Sequence, residues 1–365
     1  EHMQIMELLG VRHGIVALTK IDLVDEETVQ RRQEEIARFL EPTFMAGAPI
    51  CPVSSETGAG IFEFSDVLVD RIEQAGKTHQ GGVFRMPIGR TFAQKGFGVV
   101  VTGIPVSGTL RVGDSVELVP GRQTGRVRGI QRFLRDADEG GYGQCLALNI
   151  PDMGKTPPER GQALCAPGYL RAGLCFHVRM KTVVNLDPPL RNAEQVKLHT
   201  GTTEMPGTLF LLENKTVGPG ETALGTIVTS APVAAAAHDR FIIRRPSPTA
   251  TVAGGDILIA SESAIRPRRK ALLDMLDARL AAFDGVEMGT ADFRDRQVAY
   301  YLDAARPVGA SVEEIAKGTL LSPAEVVNSL SRLGQSTIVL GADGHYIHGK
   351  RYADFMNKSK ARLEQ

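Results

Sequence analysis

The N-terminal part of the chain alternates between short apolar runs and longer amphipathic stretches. Residues 14–18 (Gly-Ile-Val-Ala-Leu) and 50–53 (Ile-Cys-Pro-Val) are continuous apolar runs, which predict strands, the first buried on both faces of a parallel sheet. Asp25 is the predicted N-cap of a helix that ends before Pro42. Another amphipathic helix is predicted over residues 61–72. This order of elements predicts a βαβ unit.

From residue 83 onward, short apolar segments alternate with turns that contain glycine. Strands are predicted at 84–90, 98–102, 114–119 and 125–130, a spacing typical of a small antiparallel barrel. We expect this barrel over residues 83–170 and a second one over residues 174–262, where glycines again punctuate the strands.

The C-terminal part returns to a helical period after a basic linker at residues 265–270. Helices are predicted over 270–283 and 292–305. Ser311 with Glu314 has the pattern of a capping box, and Ser322-Pro323 that of an N-cap followed by proline. With a hairpin of residues 338–340 and 346–348, this predicts a winged helix over 266–350 and a further helix starting in 351–365.

Composition narrows the class of protein. The 365 residues are 42% hydrophobic and 23% charged, which is typical of a globular chain of two to four domains and excludes global disorder. No segment has the length of a membrane helix, and the N-terminus is no secretory signal. Because the formal net charge is zero, contact with RNA would depend on local basic patches. The spacing of Cys51, Cys145, Cys165 and Cys175 favours reduced thiols over a metal site.

Residues 19–22 carry the sharpest local motif. Thr19, Lys20 and Asp22 match the [N/T]KxD loop with which GTPases bind guanine, and the loop directly follows a predicted buried strand. The Asp22 carboxylate would accept hydrogen bonds from the N1–H and exocyclic amine of guanine, which adenine cannot supply. An ordinary strand-to-helix turn is the alternative interpretation of so short a match.

A second motif, at residues 53–58 (Val-Ser-Ser-Glu-Thr-Gly), follows the next predicted strand. There Ser54 or Ser55, with neighbouring backbone amides, could contact guanine O6. Since the carboxyl ends of adjacent parallel strands lie at the same edge of a sheet, both loops together predict a guanine site.

A phosphate-binding loop is missing from the sequence. Gly154-Lys155-Thr156 has Asn149 where the first glycine of GxxxxGK[ST] belongs, and it lies within the β region. We therefore expect the phosphate-binding loop, the switch segments and the Mg²⁺ ligands to lie upstream of Glu1. No catalytic residue is assigned in the chain, and no GTP hydrolysis is expected from it alone.

With these motifs in place, the chain resembles the selenocysteine-specific translation elongation factors, often called the SelB family. The resemblance is carried by the segments 1–11, 14–25, 84–90, 95–103, 108–114, 127–131 and 239–244. It implies a multidomain α/β plus all-β fold, with a partial P-loop GTPase α/β domain over residues 1–78, two antiparallel β-barrels and a C-terminal winged helix.

The resemblance also implies a function. The complete protein would be a cytoplasmic, monomeric GTPase that uses GTP or GDP with Mg²⁺ and delivers selenocysteinyl-tRNA to the ribosome. An mRNA hairpin would be bound only through further C-terminal domains. Two alternatives remain: a non-enzymatic adaptor that binds RNA or the ribosome, and a paralogue that serves another aminoacyl-tRNA.

The positions aligned with the family's aminoacyl pocket depart from its pattern. Gly89 stands where an aspartate is expected before Arg90, and Cys145 stands where an arginine is expected. A selenolate is anionic at neutral pH, so the loss of a cationic partner should weaken its selection. Arg90 could serve this pocket or form a surface ion pair.

Overall fold

The computed structural model describes residues 1–75, 81–94, 98–154, 156–263, 268–305, 309–340 and 344–363. Parts of two predictions, the linker over residues 265–270 and the turn of the C-terminal hairpin, lie outside the described residues. Of the helices in this part of the chain, none is long and apolar enough to cross a membrane.

The N-terminal region forms the predicted βαβ unit. Its two strands pair in parallel, and the connecting helix begins where the Asp25 side chain accepts a hydrogen bond of 2.8 Å from the backbone N–H of Thr28. This N-cap satisfies one of the free amides of the first turn. The elements are α1 (His2–Leu8), β1 (Val16–Thr19), α2 (Glu26–Leu40), β2 (Ile50–Val53) and α3 (Ile61–Ala75).

The prediction that β1 is buried on both faces is wrong. Val16 and Leu18 are partly buried, whereas Ala17 and Thr19 are exposed. In the described part of the chain, β1 and β2 form a two-stranded sheet, which lacks the full second layer that a doubly covered strand needs. Helix α3 likewise leaves Phe62 exposed.

The first β region is an open, curled sheet, where we had predicted a closed barrel. The hydrogen-bonded order is β7-β6-β12-β3-β4-β11-β8-β9, and β5 pairs with β10 in a separate ribbon. Its strands are β3 (Arg85–Gln94), β4 (Gly98–Gly103), β5 (Thr109–Arg111), β6 (Ser115–Val119), β7 (Thr124–Arg126), β8 (Gly129–Arg132), β9 (Arg135–Ala137), β10 (Glu139–Gly141), β11 (Leu146–Asn149) and β12 (Ala163–Cys165).

A short turn packs beside the edge strand β7 of this sheet. The 3-10 turn Pro151–Met153 contacts both β7 and β4. Met153 is buried in the core of the sheet, and the Asp152 carboxylate accepts a hydrogen bond of 3.0 Å from the backbone N–H of Arg126 on the edge strand β7. The gap beside β7 is therefore filled by a turn and its side chains, and no strand pairing closes it.

The second β region is a closed barrel, as predicted. Its strands follow the order β13-β18-β16-β15-β19-β20, and their alternating burial places Phe176 and Phe241 in the core. Helix α1 packs on β19 and β20 and adds Leu8 to this core. The strands are β13 (Gly173–Thr182), β14 (Leu190–Arg191), β15 (Glu194–Thr200), β16 (Thr203–Leu211), β17 (Thr216–Val217), β18 (Thr222–Val233), β19 (Arg240–Pro246) and β20 (Thr249–Ser261).

The C-terminal region is helical with one hairpin. Both predicted caps are present: the Ser311 and Ser322 hydroxyls each accept a hydrogen bond of 3.3 Å, from the backbone N–H of Glu314 and Glu325 respectively. The elements are α4 (Arg269–Phe283), α5 (Ala291–Ala305), α6 (Val312–Thr319), α7 (Pro323–Thr337), β21 (Ile338–Leu340), β22 (Tyr346–His348) and α8 (Gly349–Leu363).

A largely buried ion pair, with side-chain exposures of 12% for Arg85 and 20% for Asp239, joins the open sheet to the closed barrel. Arg85 on β3 donates hydrogen bonds of 2.6 Å to each carboxylate oxygen of Asp239, which also accepts from the backbone N–H of Ala236 at 2.8 Å. Burial opposes the charge on Arg85, but the field and hydrogen bonds of Asp239 outweigh it and raise the pKa of the guanidinium. Such bidentate pairs fix both distance and orientation.

The helical region holds the segment that leads into β3. The backbone N–H of Gly82 donates to both carboxylate oxygens of Glu325 at 2.9 Å, and the N–H of Val83 donates to the carbonyl of Leu320 at 3.0 Å. A Cβ atom at Gly82 would lie 2.7 Å from the Leu320 carbonyl oxygen, so a residue with a side chain does not fit there.

We predict that Asp239→Asn lowers the free energy of unfolding by about 1–3 kcal/mol, because Arg85 would stay largely buried without its counter-charge. Urea unfolding measures this change. The matched control is Glu204→Gln, which breaks the exposed pair with Lys197 and should change the free energy of unfolding much less, since solvent screens the pair. Equal effects of the two substitutions would contradict the role assigned to the buried pair.

Candidate functional site

The two loops predicted to bind guanine leave the sheet side by side. Thr19 lies opposite Val53 as the last pair of the parallel ladder, so Lys20 and Ser54 begin the loops at the same edge. Ligands of open α/β sheets bind beyond the carboxyl ends of the strands.

The first loop reverses direction immediately after β1. Lys20 adopts the left-handed conformation (φ 63°, ψ 37°), which is uncommon for a residue other than glycine. Residues Ile21–Leu23 then form a 3-10 turn, in which the Leu23 N–H donates to the Lys20 carbonyl at 3.2 Å. The reversal brings the Asp22 carboxylate to the second loop, while Lys20 and Asp22 both remain exposed to solvent.

A hydrogen bond joins the two loops. The hydroxyl of Ser54 donates to Oδ1 of Asp22 at 2.5 Å, and the Ser54 side chain is fully buried. The same Ser54 oxygen accepts from the backbone N–H of Thr57 at 3.2 Å, and the Ser54 N–H donates to the Ala59 carbonyl at 2.9 Å. Ser54 is therefore fixed from several sides and holds one orientation of the Asp22 carboxylate.

This geometry assigns different tasks to the two serines. The Ser54 hydroxyl donates its proton to Asp22. It therefore has no proton left to donate to guanine O6, which of the two serines leaves Ser55 for that contact. Ser55 is exposed, and its backbone N–H has no acceptor among the described residues. That amide is the donor available for a carbonyl oxygen, while the other carboxylate oxygen of Asp22 can accept from ring N–H groups.

Two further residues shape the second loop, and the sequence analysis missed their roles. Thr57 supplies the amide that orients Ser54. Gly60, with φ +72°, passes so close to β2 that a Cβ atom would lie 2.0 Å from the Pro52 carbonyl oxygen. The glycine-rich sequence hinted at a tight turn, but the contact with Pro52 depends on how the loop folds back.

The three positions of the suspected aminoacyl pocket lie on or beside two strands of the open sheet, β3 and β11, which are separated by β4. Arg90 on β3 pairs with Thr102 on β4, which pairs with Ala147 on β11, and Cys145 comes just before β11. Gly89 occupies a bulge between the paired residues Ile88 and Arg90. Arg90 and Cys145 are both exposed on the outer side of the sheet, with β4 between their strands.

The histidine, cysteine and carboxylate side chains outside these loops form no further candidate site among the described residues. Among the described residues, no cluster of three or more His, Cys, Asp or Glu side chains could hold a metal ion. All four cysteines are free, and burial raises the pKa of the Cys165 thiol to about 11. Of the rejected Gly154-Lys155-Thr156 motif, Lys155 lies outside the described residues.

We predict that Gly60→Ala displaces the loop of residues 54–60 and destabilises it by about 1–3 kcal/mol, since the new methyl group overlaps the Pro52 carbonyl. Hydrogen exchange of the Ser54 and Thr57 amides reports the change. Gly58→Ala is the matched control, because Gly58 also has a positive φ (+79°) but open space around its Cβ position. Equal protection in both variants would show that the contact with Pro52 does not hold the loop.

Sequence comparison finds selenocysteine-specific elongation factors among the relatives of this chain. The family model described as "Selenocysteine-specific elongation factor, beta-barrel domain" matches residues 177–264. The selenocysteine-specific elongation factor of Desulfomicrobium baculatum is 35% identical over 294 residues, which is 80% of this chain and 46% of that protein. Its counterpart in Escherichia coli is 29% identical over 272 residues, 74% of this chain and 41% of that protein. The chain thus spans less than half the length of these curated relatives.

Solved structures share the fold. A bacterial selenocysteine-specific elongation factor, EF-Sec, matches with a TM-score of 0.76 and 22% identity, covering 99% of this chain and 55% of that chain. SelB from Methanococcus maripaludis in complex with the GTP analogue GppNHp matches with a TM-score of 0.62 and 24% identity. The match covers 72% of this chain and 62% of that chain. On the evidence of its barrel, its relatives and its fold, this chain belongs to the family of selenocysteine-specific elongation factors.

Proposed function

We propose that this chain is the guanine-recognising and tRNA-carrying part of a GTP-dependent translation elongation factor that delivers selenocysteinyl-tRNA to the ribosome. The observation that carries the proposal is the hydrogen bond between Ser54 and Asp22 at the shared edge of β1 and β2. An ordinary strand-to-helix turn would not require the carboxylate to be oriented in this way.

The orientation of Asp22 accounts for a choice of guanine over adenine. The carboxylate can accept from the N1–H and the exocyclic amine of guanine, while the Ser55 amide can donate to O6. Adenine has an acceptor at N1 and no amine at C2, so the carboxylate would lose both partners. A site built around such hydrogen bonds rejects an analogue that lacks them by roughly 10⁴–10⁵.

The chain's residues fit the base of GTP or GDP; we expect the phosphate-binding loop and the Mg²⁺ ligands outside residues 1–365. The bound nucleotide would supply a γ-phosphate whose presence or loss distinguishes two states of the protein. Lys20, next to Asp22, would cover the base plane with its aliphatic stem.

The two β regions and the helical region would bind RNA. We propose a domain division at residues 1–78, 83–170, 174–262 and 266–350, with a further helix in 351–365. The acceptor end of aminoacyl-tRNA would lie across the open sheet and the closed barrel.

We propose that helices α5–α7 and the hairpin β21–β22 form a winged helix. An mRNA hairpin would bind through further C-terminal domains. We propose that the complete protein acts as a monomer in the cytoplasm.

A non-enzymatic adaptor that binds RNA or the ribosome is the alternative. Such an adaptor would keep the fold but would not bind and exchange nucleotides. The presence or absence of a phosphate-binding loop in the complete reading frame decides between the adaptor and the elongation factor. A loop of the form GxxxxGK[ST] favours the elongation factor.

We predict that Asp22→Asn lowers the affinity for GDP at least about a hundredfold, because it removes two charge-assisted hydrogen bonds. The same variant should gain affinity for xanthosine diphosphate, whose C2 carbonyl can accept from the asparagine amide. Equilibrium binding to the complete product of the gene measures both affinities. Asp25→Asn is the matched control, since asparagine caps α2 as well as aspartate does. Unchanged GDP affinity in Asp22→Asn would refute guanine recognition by this loop.

Gly89 and Cys145 favour a weakened preference for the selenocysteinyl group. We predict that the natural protein discriminates little between selenocysteinyl-tRNA and seryl-tRNA, and that Cys145→Arg raises the preference for the former about tenfold, because a guanidinium would pair with the selenolate. Cys145→Met controls for side-chain size. Competition binding with both aminoacyl-tRNAs is the measurement, and a strong preference already present in the natural protein would sink the idea.

A further inference from the structure

A crevice of about 590 Å³ lies where the open sheet, the closed barrel and the helical region meet. Its walls come from the turn after β12, from the β18–β19 connection and β20 of the barrel, and from helices α4, α5 and α6. Its volume is in the range of small-molecule sites. The residues that carry the argument are Tyr169, Arg171, Arg279, Phe283, Tyr300 and Lys317.

Arg279 is a largely buried cation in the crevice wall. Its guanidinium lies 5.3 Å from the ring centroid of Phe283 and 5.0 Å from that of Tyr300, and one nitrogen makes a 2.8 Å hydrogen bond with Nε2 of His238. Among the described residues, no carboxylate lies within 4.0 Å of its nitrogens, and its Nε has no hydrogen-bond partner. A buried charge held only by rings and neutral groups is incompletely compensated.

The neighbours of Arg279 cannot supply the missing negative charge. Burial, together with the adjacent guanidinium, lowers the pKa of His238 to about 3, so that ring is neutral at physiological pH. The carboxylate of Asp239, the next residue, accepts two hydrogen bonds from Arg85 and does not pair with Arg279. Burial also lowers the pKa of Arg279 itself, against the raising effect of Tyr300.

The remaining charges around the crevice leave it open to an anion. Arg171 and Lys317 lie at the rim and pair with the exposed carboxylates of Glu262 and Glu313. Glu314 also lines the crevice, but its carboxylate caps α6 by accepting from Ser311 at 2.9 Å. Among the described residues, the wall therefore offers a guanidinium that is hydrogen-bonded to His238 and Tyr300 but has no carboxylate within 4.0 Å, beside partly exposed aromatic rings.

We propose that this crevice binds a mononucleotide, with its phosphate on Arg279 and its base against the aromatic wall around Tyr300. A phosphate accepts hydrogen bonds from a guanidinium in two parallel contacts, and a base stacks on an aromatic ring. Because the walls belong to three regions of the fold, a bound nucleotide would hold these regions in one arrangement. The site is separate from the guanine loops and does not depend on the proposed function.

The test uses AMP, which the guanine loops should reject. Isothermal titration of AMP into the full chain is expected to show binding together with a rise in melting temperature. Arg279→Met keeps much of the packing but removes the charge, and should weaken binding about ten- to a hundredfold. Arg38→Met, on the exposed surface of α2, should change nothing. Asp22→Asn should also bind AMP normally.

Two more variants keep the proposal testable if Arg279→Met does not fold. Arg279→Lys retains the charge and should keep most of the binding. Tyr300→Leu should weaken AMP about tenfold, and more than it weakens inorganic phosphate, since it removes a stacking partner of the base as well as a ring beside Arg279. The proposal is overturned if AMP does not bind at millimolar concentration. It is also overturned if binding survives in folded Arg279→Met, is unchanged in Tyr300→Leu, or is lost in Asp22→Asn.

Discussion

The buried pair of Arg85 and Asp239 is the constraint on which the arrangement of the two β regions depends. Its two parallel hydrogen bonds fix the start of β3 against the turn before β19, and the same carboxylate closes that turn by accepting from Ala236. A guanidinium and a carboxylate that have both left water are stable only while they stay together. The two β regions therefore meet in one orientation, and that orientation forms the crevice beside Arg279.

The candidate guanine site depends on a second constraint, the register of β1 and β2. Parallel pairing of Thr19 with Val53 sends two loops out of the same edge, where Ser54 meets Asp22 although 32 positions separate them in sequence. Gly60 allows the second loop to fold back onto its strand. A one-residue shift in register would separate the serine from the carboxylate and would leave the hydroxyl without its acceptor.

Much of the local structure was predictable because its signals are short-range. The caps at Asp25, Ser311 and Ser322 lie within three residues of the amides they satisfy, and the apolar runs gave the strands of the βαβ unit and the terminal hairpin. The closure of the first sheet was not predictable. Which strands pair depends on contacts between segments far apart in the chain, such as those of the 3-10 turn Pro151–Met153 with β4 and β7.

The sequence alone determined which elements form, that two loops with guanine chemistry follow neighbouring strands, and which family the chain resembles. These conclusions rest on periodicity, caps and motifs, each carried by residues close together in the chain. The tertiary structure decided what individual side chains do. It turned Ser54 from a possible contact of the base into the residue that orients Asp22, and it placed Arg279 in a crevice wall where no carboxylate of the described residues pairs with it. Such roles arise from contacts between distant segments, whose hydrogen bonds and burial no local pattern encodes.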